Sequence, residues 1–242
     1  MAANPKARFL GYPNAMNRRI LALSVLLGAG LVVLAFTSGA ANHVRSRLAY
    51  AGLVAQQGNE RDPSRAPMLA EYDRGDPLVP AGATVLIGDS IAFRAPFEGS
   101  CIANRGIGGE RSDQLLANLA RWRSLDRANA VVVAIGTNDI WQRRPDGLGG
   151  RVAAIVERIS APVYLLGLSA DLPGMAAANA HLRRACSGRC TFIEPIEALA
   201  PDGIHLSRAG YALLAAQLPL RCASDAAGPK TAAVEDDFPL DP

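Results

Sequence analysis

The sequence predicts an α/β fold: a three-layer α/β/α sandwich on a five-stranded parallel sheet, with an N-terminal transmembrane helix ahead of it. Three observations predict it. Between residues 81 and 222, five short apolar runs lack polar alternation, the pattern of strands covered on both faces. Helical patterns separate the runs, and strand–helix alternation builds a doubly wound sheet with its ligand crevice at the carboxyl ends of the strands. Ahead of this region, residues 20–37 read ILALSVLLGAGLVVLAFT, apolar on every side.

Taken in order, residues 1–19 carry Lys6, Arg8, Arg18 and Arg19 with no acidic residue, and are expected to remain in the cytoplasm by the positive-inside bias. The next segment, 20–41, contains no Asp, Glu, Lys or Arg. As a helix, its apolar part reaches about 27 Å, nearly the thickness of a bilayer core. Ser38 and Ala40 offer a small-x-small cleavage site before Ala41, so a signal peptide stands beside an anchor. A hydrophobic stretch longer than the usual 7–15 residues of a signal peptide favours the anchor. Met16, followed by NRRILALSV, is an alternative start. Residues 42–80 read as a juxtamembrane helix (HVRSRLAYAGLVAQQ) and a polar linker (GNERDPSRAP).

Within 81–222 the strands are expected at 84–87 (TVLI), 101–104 (CIAN), 130–135 (AVVVAI), 162–166 (PVYLL) and 191–193 (TFI). Helices are expected at 112–125, with Ser112 as N-cap, at 148–159, at 172–185, and at 207–218, again opened by a Ser. The tail, 223–242, is rich in Pro, Asp and Ala, has no apolar periodicity, and is expected to stay disordered.

The composition agrees with one ordinary domain plus extensions. The chain has 242 residues, half of them hydrophobic and 19% charged, which excludes a disordered chain. The formal charge is +3, with no Lys/Arg run interleaved with aromatics, so nucleic acid is excluded as a partner.

Four cysteines, Cys101, Cys186, Cys190 and Cys222, favour disulfides in an exported domain. Cys186 and Cys190 flank a three-residue turn and form the first expected pair. Cys101 with Cys222 is the remaining one, pinning the last helix to the sheet. The alternative is a zinc site, but neither pair has CxxC spacing and His181 is the only nearby imidazole. No metal is expected.

Four short blocks stand where strands end. Gly88-Asp89-Ser90 follows the first strand; it serves equally as a helix cap and as a crevice-facing hydroxyl. The run from Asn104 to Glu110, NRGIGGE, follows the second. It is neither a dinucleotide fingerprint nor a Walker loop, and reads as a turn or as a set of amides aimed at a ligand. Gly136-Thr137-Asn138-Asp139 follows the third strand, where the Asn138 carboxamide caps a turn or donates to a developing charge. DGIHLS, 202–207, precedes the last helix. Of the three histidines only His205 has a carboxylate, Asp202, three residues earlier on an irregular segment. That spacing suits a carboxylate that orients an imidazole, and equally a plain loop hydrogen bond.

Taken together and in this order, GDS, NRGIGGE, GTND and DGIHLS resemble the SGNH/GDSL hydrolase family, over residues from about 84 to 218. The resemblance implies a flavodoxin-like sheet with Ser90 as nucleophile, His205 as general base and Asp202 as its orienting acid. It also implies an oxyanion hole made of the Ser90 N–H, the Gly109 N–H and the Asn138 side chain. No cofactor is implied. The chain departs from the family's frequent Leu after GDS with Ile91, and from DGIHPN with DGIHLS. Asp89 and Asp139 read as loop-stabilising. Trp141 walls the acyl or sugar site or belongs to the core, and Phe93 and Arg94 lie where the chain leaves the nucleophile turn.

The resulting expectation is an extracytoplasmic serine esterase acting on a small ester or acylated glycan, membrane-anchored or secreted after cleavage near Ala40, and more active as the His205 imidazole loses its proton. A glycan O-acyltransferase on the same acyl-serine and a non-catalytic membrane-tethered binding module are the alternatives.

Overall fold

A computed structural model describes residues 63–220. The expected span at 20–37, the juxtamembrane helix, Cys222 and the tail at 223–242 lie outside these residues. Among the described residues no helix is long and apolar enough to cross a membrane.

The sheet has five parallel strands, β1 Thr84–Gly88, β2 Ile102–Gly106, β3 Ala130–Ala134, β4 Val163–Leu166 and β5 Thr191–Ile193, in the order β2-β1-β3-β4-β5. Because side chains alternate along a strand, each apolar run supplies both faces. Val85, Ile87, Val131 and Val133 pack one face against Leu115, Val152, Ile155 and Leu182. Leu86, Val132, Ala134 and Leu166 pack the other against Ala92, Tyr211 and Leu214. The helices α3 Ser112–Asn118, α5 Leu148–Arg158 and α6 Met175–Cys186 therefore cover the first face, and α2 Ser90–Phe93 and α7 Arg208–Ala215 the second. A short α4, Thr137–Trp141, follows β3. The chain runs from β1 out to edge strand β2 and then returns past β1 to β3, so the winding reverses between β1 and β3. That switch point opens the crevice at their carboxyl ends.

Two glycines permit this geometry. At Gly88, with φ +130°, a Cβ would lie 1.8 Å from the Ala134 carbonyl oxygen. At Gly106 it would lie 2.2 Å from the Phe93 nitrogen. Any side chain at either position would force β1 from β3, or β2 from α2.

Several boundaries differ from the sequence expectations. The domain start expected at 81 falls inside the packed body: α1 Arg65–Gly75 and the 3-10 turn Asp76–Leu78 occupy part of the expected linker, and bury Leu69 and Val79 in the main core. The helix expected at 112–125 stops at Asn118 and continues as two 3-10 turns, Leu119–Arg121 and Arg123–Arg127. Trp122 is extended between them, and the buried Asp76 carboxylate takes the Ser124 N–H at 3.1 Å and the Ser124 hydroxyl. Ser112 is the first helical residue instead of the N-cap, because its hydroxyl donates to Asp139 at 2.6 Å. α6 begins at Met175, after Gly174 at φ +91°. At α7 the Ser207 hydroxyl does cap, accepting from the Gly210 N–H at 3.1 Å.

Cys186 and Cys190 form a disulfide across the end of α6, with Cα atoms 5.0 Å apart. Cys101 is also disulfide-bonded; the partner expected for it, Cys222, lies outside the described residues.

Candidate active site

The site is assembled from the ends of β1, β2 and β3 and from the loop before α7. After Gly88 the backbone turns at Asp89, whose carboxylate accepts from the Ile91 N–H at 2.9 Å and so caps α2. Ser90 is the first residue of α2, where a backbone N–H has no intrahelical acceptor. So short a helix needs outside support. The Asn104 carboxamide donates to the Ala92 carbonyl at 2.6 Å and accepts from the Gly106 N–H at 2.9 Å. From the other side, the Tyr211 hydroxyl donates to the Ile91 carbonyl at 2.9 Å. Sequence reasoning gave neither residue a role; for Asn104 the signal was present, a polar carboxamide ending an apolar run at the head of its block.

The DGIHLS loop brings His205 to this turn across 115 residues, with Nε2 2.9 Å from Ser90 Oγ. The other ring nitrogen, Nδ1, lies 2.6 Å from Asp202 Oδ2. The second carboxylate oxygen of Asp202 accepts from the Ile204 and His205 N–H groups, each at 2.9 Å. Burial pushes the Asp202 carboxyl up, but the hydrogen bond and charge of His205 and the two backbone donors outweigh it and hold the group at about 2. Asp202 is therefore ionised and Nδ1–H donates to it, which turns Nε2 toward the Ser90 hydroxyl. The loop itself is tied down by Ala200 N–H to His205 carbonyl at 2.8 Å and by Asp171 N–H to Gly203 carbonyl at 2.7 Å.

Asn138 stands in the first turn of α4. Its Nδ2 donates to the Glu110 carbonyl at 3.1 Å, which fixes the carboxamide and leaves its second N–H available. Gly109, at φ +71°, precedes Glu110, and its carbonyl accepts from Gln142 Nε2 at 3.4 Å. Gln142 in turn accepts from Arg111 at 2.9 Å, a link sequence reasoning missed. Asp139 is a structural hub: it takes the Ser112 N–H at 3.0 Å, the Ser112 hydroxyl at 2.6 Å and Arg151 at 2.9 Å.

Two carboxyls near the site are displaced the other way. Burial lifts Asp89 to about 7 against the Ile91 N–H, with Asp139 and Glu110 adding to the rise. Burial also lifts Glu110 to about 7 against Arg65 and Asn118. Trp141 packs half-buried against the main core. Phe93 is about half exposed on α2, and Arg94 next to it is exposed. A groove of about 740 Å³ opens between the α4–α5 connection and α6, lined by Ile140, Arg143, Leu148, Gly174, Ala177 and His181 among others. Among the described residues no group of three or more His, Cys, Asp or Glu is placed to hold a metal ion.

A hydroxyl hydrogen-bonded to an imidazole, itself held by a carboxylate, is the arrangement that activates a weak nucleophile for acyl transfer. The model of the GDSL-like lipase/acylhydrolase family matches residues 73–213. Among solved structures, the chain is similar to a protein from Streptococcus pneumonia provisionally named a platelet activating factor, at 22% identity and a TM-score of 0.56, over 63% of this chain and 90% of that one. A Bacteroides fragilis protein provisionally named an acylhydrolase is 22% identical with a TM-score of 0.50, over 60% and 91% of the two chains. A GDSL-like lipase from Bacteroides thetaiotaomicron is 20% identical with a TM-score of 0.49, over 60% and 92%. At these identities the first two likenesses concern the fold alone. No curated protein matches the chain.

Proposed function

The chain belongs to the GDSL-like lipase/acylhydrolase family and is a hydrolase acting on ester bonds, and from that premise we propose an extracytoplasmic serine esterase that removes acyl groups, O-acetyl among them, from a glycan. The observation that supports this reading is the continuous hydrogen-bonded line from Ser90 Oγ through His205 to Asp202, at 2.9 and 2.6 Å.

In this mechanism Ser90 Oγ attacks the ester carbonyl carbon while its proton passes to His205 Nε2. The imidazolium so formed is stabilised by Asp202, which stays ionised because it is held at about 2. The carbonyl oxygen becomes an oxyanion and takes hydrogen bonds from the Ser90 N–H, the Gly109 N–H and the Asn138 side chain. One preorganised donor of this kind contributes about 3 kcal/mol. His205 then returns the proton to the departing alcohol oxygen, leaving acyl-Ser90. Water then attacks the acyl carbonyl carbon as His205 takes its proton; the acyl–Oγ bond breaks, His205 returns the proton to Ser90 Oγ, and carboxylic acid leaves.

The apolar segment 20–37 behind a basic N-terminus supports export and membrane attachment. The test is turnover of p-nitrophenyl acetate and of an eight-carbon ester by the full-length chain beside Ser90→Ala. Hydrolysis lost in the variant supports the acyl-serine route, and preference for acetate supports a deacetylase. Hydrolysis unchanged in the variant rejects the mechanism. Protease accessibility of the domain in intact cells and spheroplasts tests the location.

A further inference from the structure

The geometry points to a role for helix α1 in catalysis: Arg65 and Tyr72 are positioning residues that hold the loop bearing one oxyanion donor, Gly109, and hydrogen-bonded to a second, Asn138. This inference rests on the esterase reading and adds to it a segment that precedes every sequence block of the site.

Glu110, the residue after Gly109, joins α1 to the loop. Its side chain is completely buried, and a carboxylate in such a place must be paired. Arg65 of α1 donates to Oε1 at 2.9 Å, and Asn118 of α3 donates to the same oxygen at 2.7 Å. Two elements, 45 and 8 residues away in sequence, thereby clamp one side chain. The backbone of Glu110 is where the clamp reaches the chemistry. Its carbonyl accepts from Asn138 Nδ2 at 3.1 Å, and its N–H closes a turn on the Ile107 carbonyl at 3.2 Å. Moving Glu110 therefore moves Gly109 through the chain and Asn138 through a hydrogen bond.

Tyr72 grips the other end of the loop. Its hydroxyl donates to the Gly106 carbonyl at 2.8 Å, and the Arg105 guanidinium lies 5.1 Å above its ring. Arg65 and Tyr72 are thus fastened to both ends of the segment 106–110. A third link of α1, Asp73 to Arg121 at 2.5 Å, is exposed and lies outside the segment 106–110. That difference supplies an internal control. Oxyanion donors act through exact placement relative to the transition state, so a loosened loop costs turnover more than it costs binding.

The experiment measures kcat and KM of the full-length chain on p-nitrophenyl acetate, with thermal melts, for wild type, Arg65→Ala, Arg65→Lys, Tyr72→Phe, Asp73→Ala and Ser90→Ala. The expected results are a kcat lower by about 10- to 100-fold in Arg65→Ala with KM within about twofold, and partial recovery in Arg65→Lys. Tyr72→Phe, a single hydroxyl deletion, lowers kcat by about three- to tenfold, while Asp73→Ala stays within about twofold of wild type. Wild-type kcat in folded Arg65→Ala and Tyr72→Phe, or equal losses in Asp73→Ala, would overturn the proposal. Should Arg65→Ala not fold, Tyr72→Phe against Asp73→Ala decides in the same way. Turnover that survives in Ser90→Ala instead rejects the esterase reading, a result distinguishable from failure of the α1 proposal.

Discussion

Asp202→Asn removes one charge and almost no volume, and the structure dictates what the amide must do. The Ile204 and His205 N–H groups both point at Oδ1 at 2.9 Å, so the amide oxygen stays there and the NH2 faces His205 Nδ1. Nδ1 must then accept, the ring proton moves to Nε2, and Nε2 no longer accepts from Ser90. Restoring the productive tautomer requires an amide flip that gives up both backbone hydrogen bonds, about 2 kcal/mol at about 1 each. The lost carboxylate adds to this. A carboxyl held at about 2 instead of 3.8 corresponds to roughly 2.5 kcal/mol; the share from the His205 ring, apart from the two backbone hydrogen bonds already counted and after solvent screening, is about 1–2. The sum, about 3–4 kcal/mol, is a fall in kcat of about 10²- to 10³-fold. Steady-state kinetics on p-nitrophenyl acetate measures it, with KM expected to stay within about threefold. A folded Asp202→Asn variant with kcat within threefold of wild type would refute the orienting role.

Three further outcomes are expected. Gly88→Ala places a Cβ where it would lie 1.8 Å from the Ala134 carbonyl oxygen, so the variant should lose its cooperative thermal transition; a melt within a few degrees of wild type would contradict the β1–β3 geometry. Asp139→Ala strips the buried Ser112 hydroxyl and N–H and the Arg151 guanidinium of their partner, and should cost about 3–5 kcal/mol in urea unfolding; a loss under 1 kcal/mol would show that the hub is not needed. For pH, Asp89 and Glu110 bind their protons more tightly in the folded chain, up to about 7. Their effect on stability therefore becomes unfavourable as pH rises from about 4 to 7. Asp202 acts oppositely, its contribution being full above about 4 and lost as pH falls through about 2. Urea midpoints across that range should show a smaller decline toward pH 7 in Asp89→Asn than in wild type, and an identical decline would contradict the burial argument.

The centre of the sheet was legible because buried parallel strands are unbroken apolar runs: 130–134 stands out without any knowledge of its neighbours. The blocks at strand ends were legible because turn chemistry demands Gly, Asn, Asp and Ser there. Helix α1 was not legible. RAPMLAEYDRG reads as polar, and its hold on the domain comes from Leu69, from Arg65 to Glu110 and from Tyr72 to Gly106, contacts 34 to 45 residues apart for the two polar ones. No local pattern encodes such pairs. The helix expected through residue 125 failed for the same reason, since the carboxylate that holds Ser124 belongs to Asp76, 48 residues upstream. Ser112 has the residue type of a cap, but a distant acceptor, Asp139, claims its hydroxyl. Trp141 illustrates a different limit, because an aromatic beside a site block looks alike in sequence whether it faces substrate or, as here, packs on the core.

The central claim is that Ser90 carries the acyl group, and the most direct measurement is peptide mass mapping of protein quenched during turnover of p-nitrophenyl acetate. His205→Ala serves as a second sample, in which acylation and its reversal are both slow. The account predicts an acetyl adduct on the peptide containing Ser90 in the wild-type sample, and none in Ser90→Ala. An adduct on another residue, or steady turnover by Ser90→Ala at the wild-type rate, would contradict it.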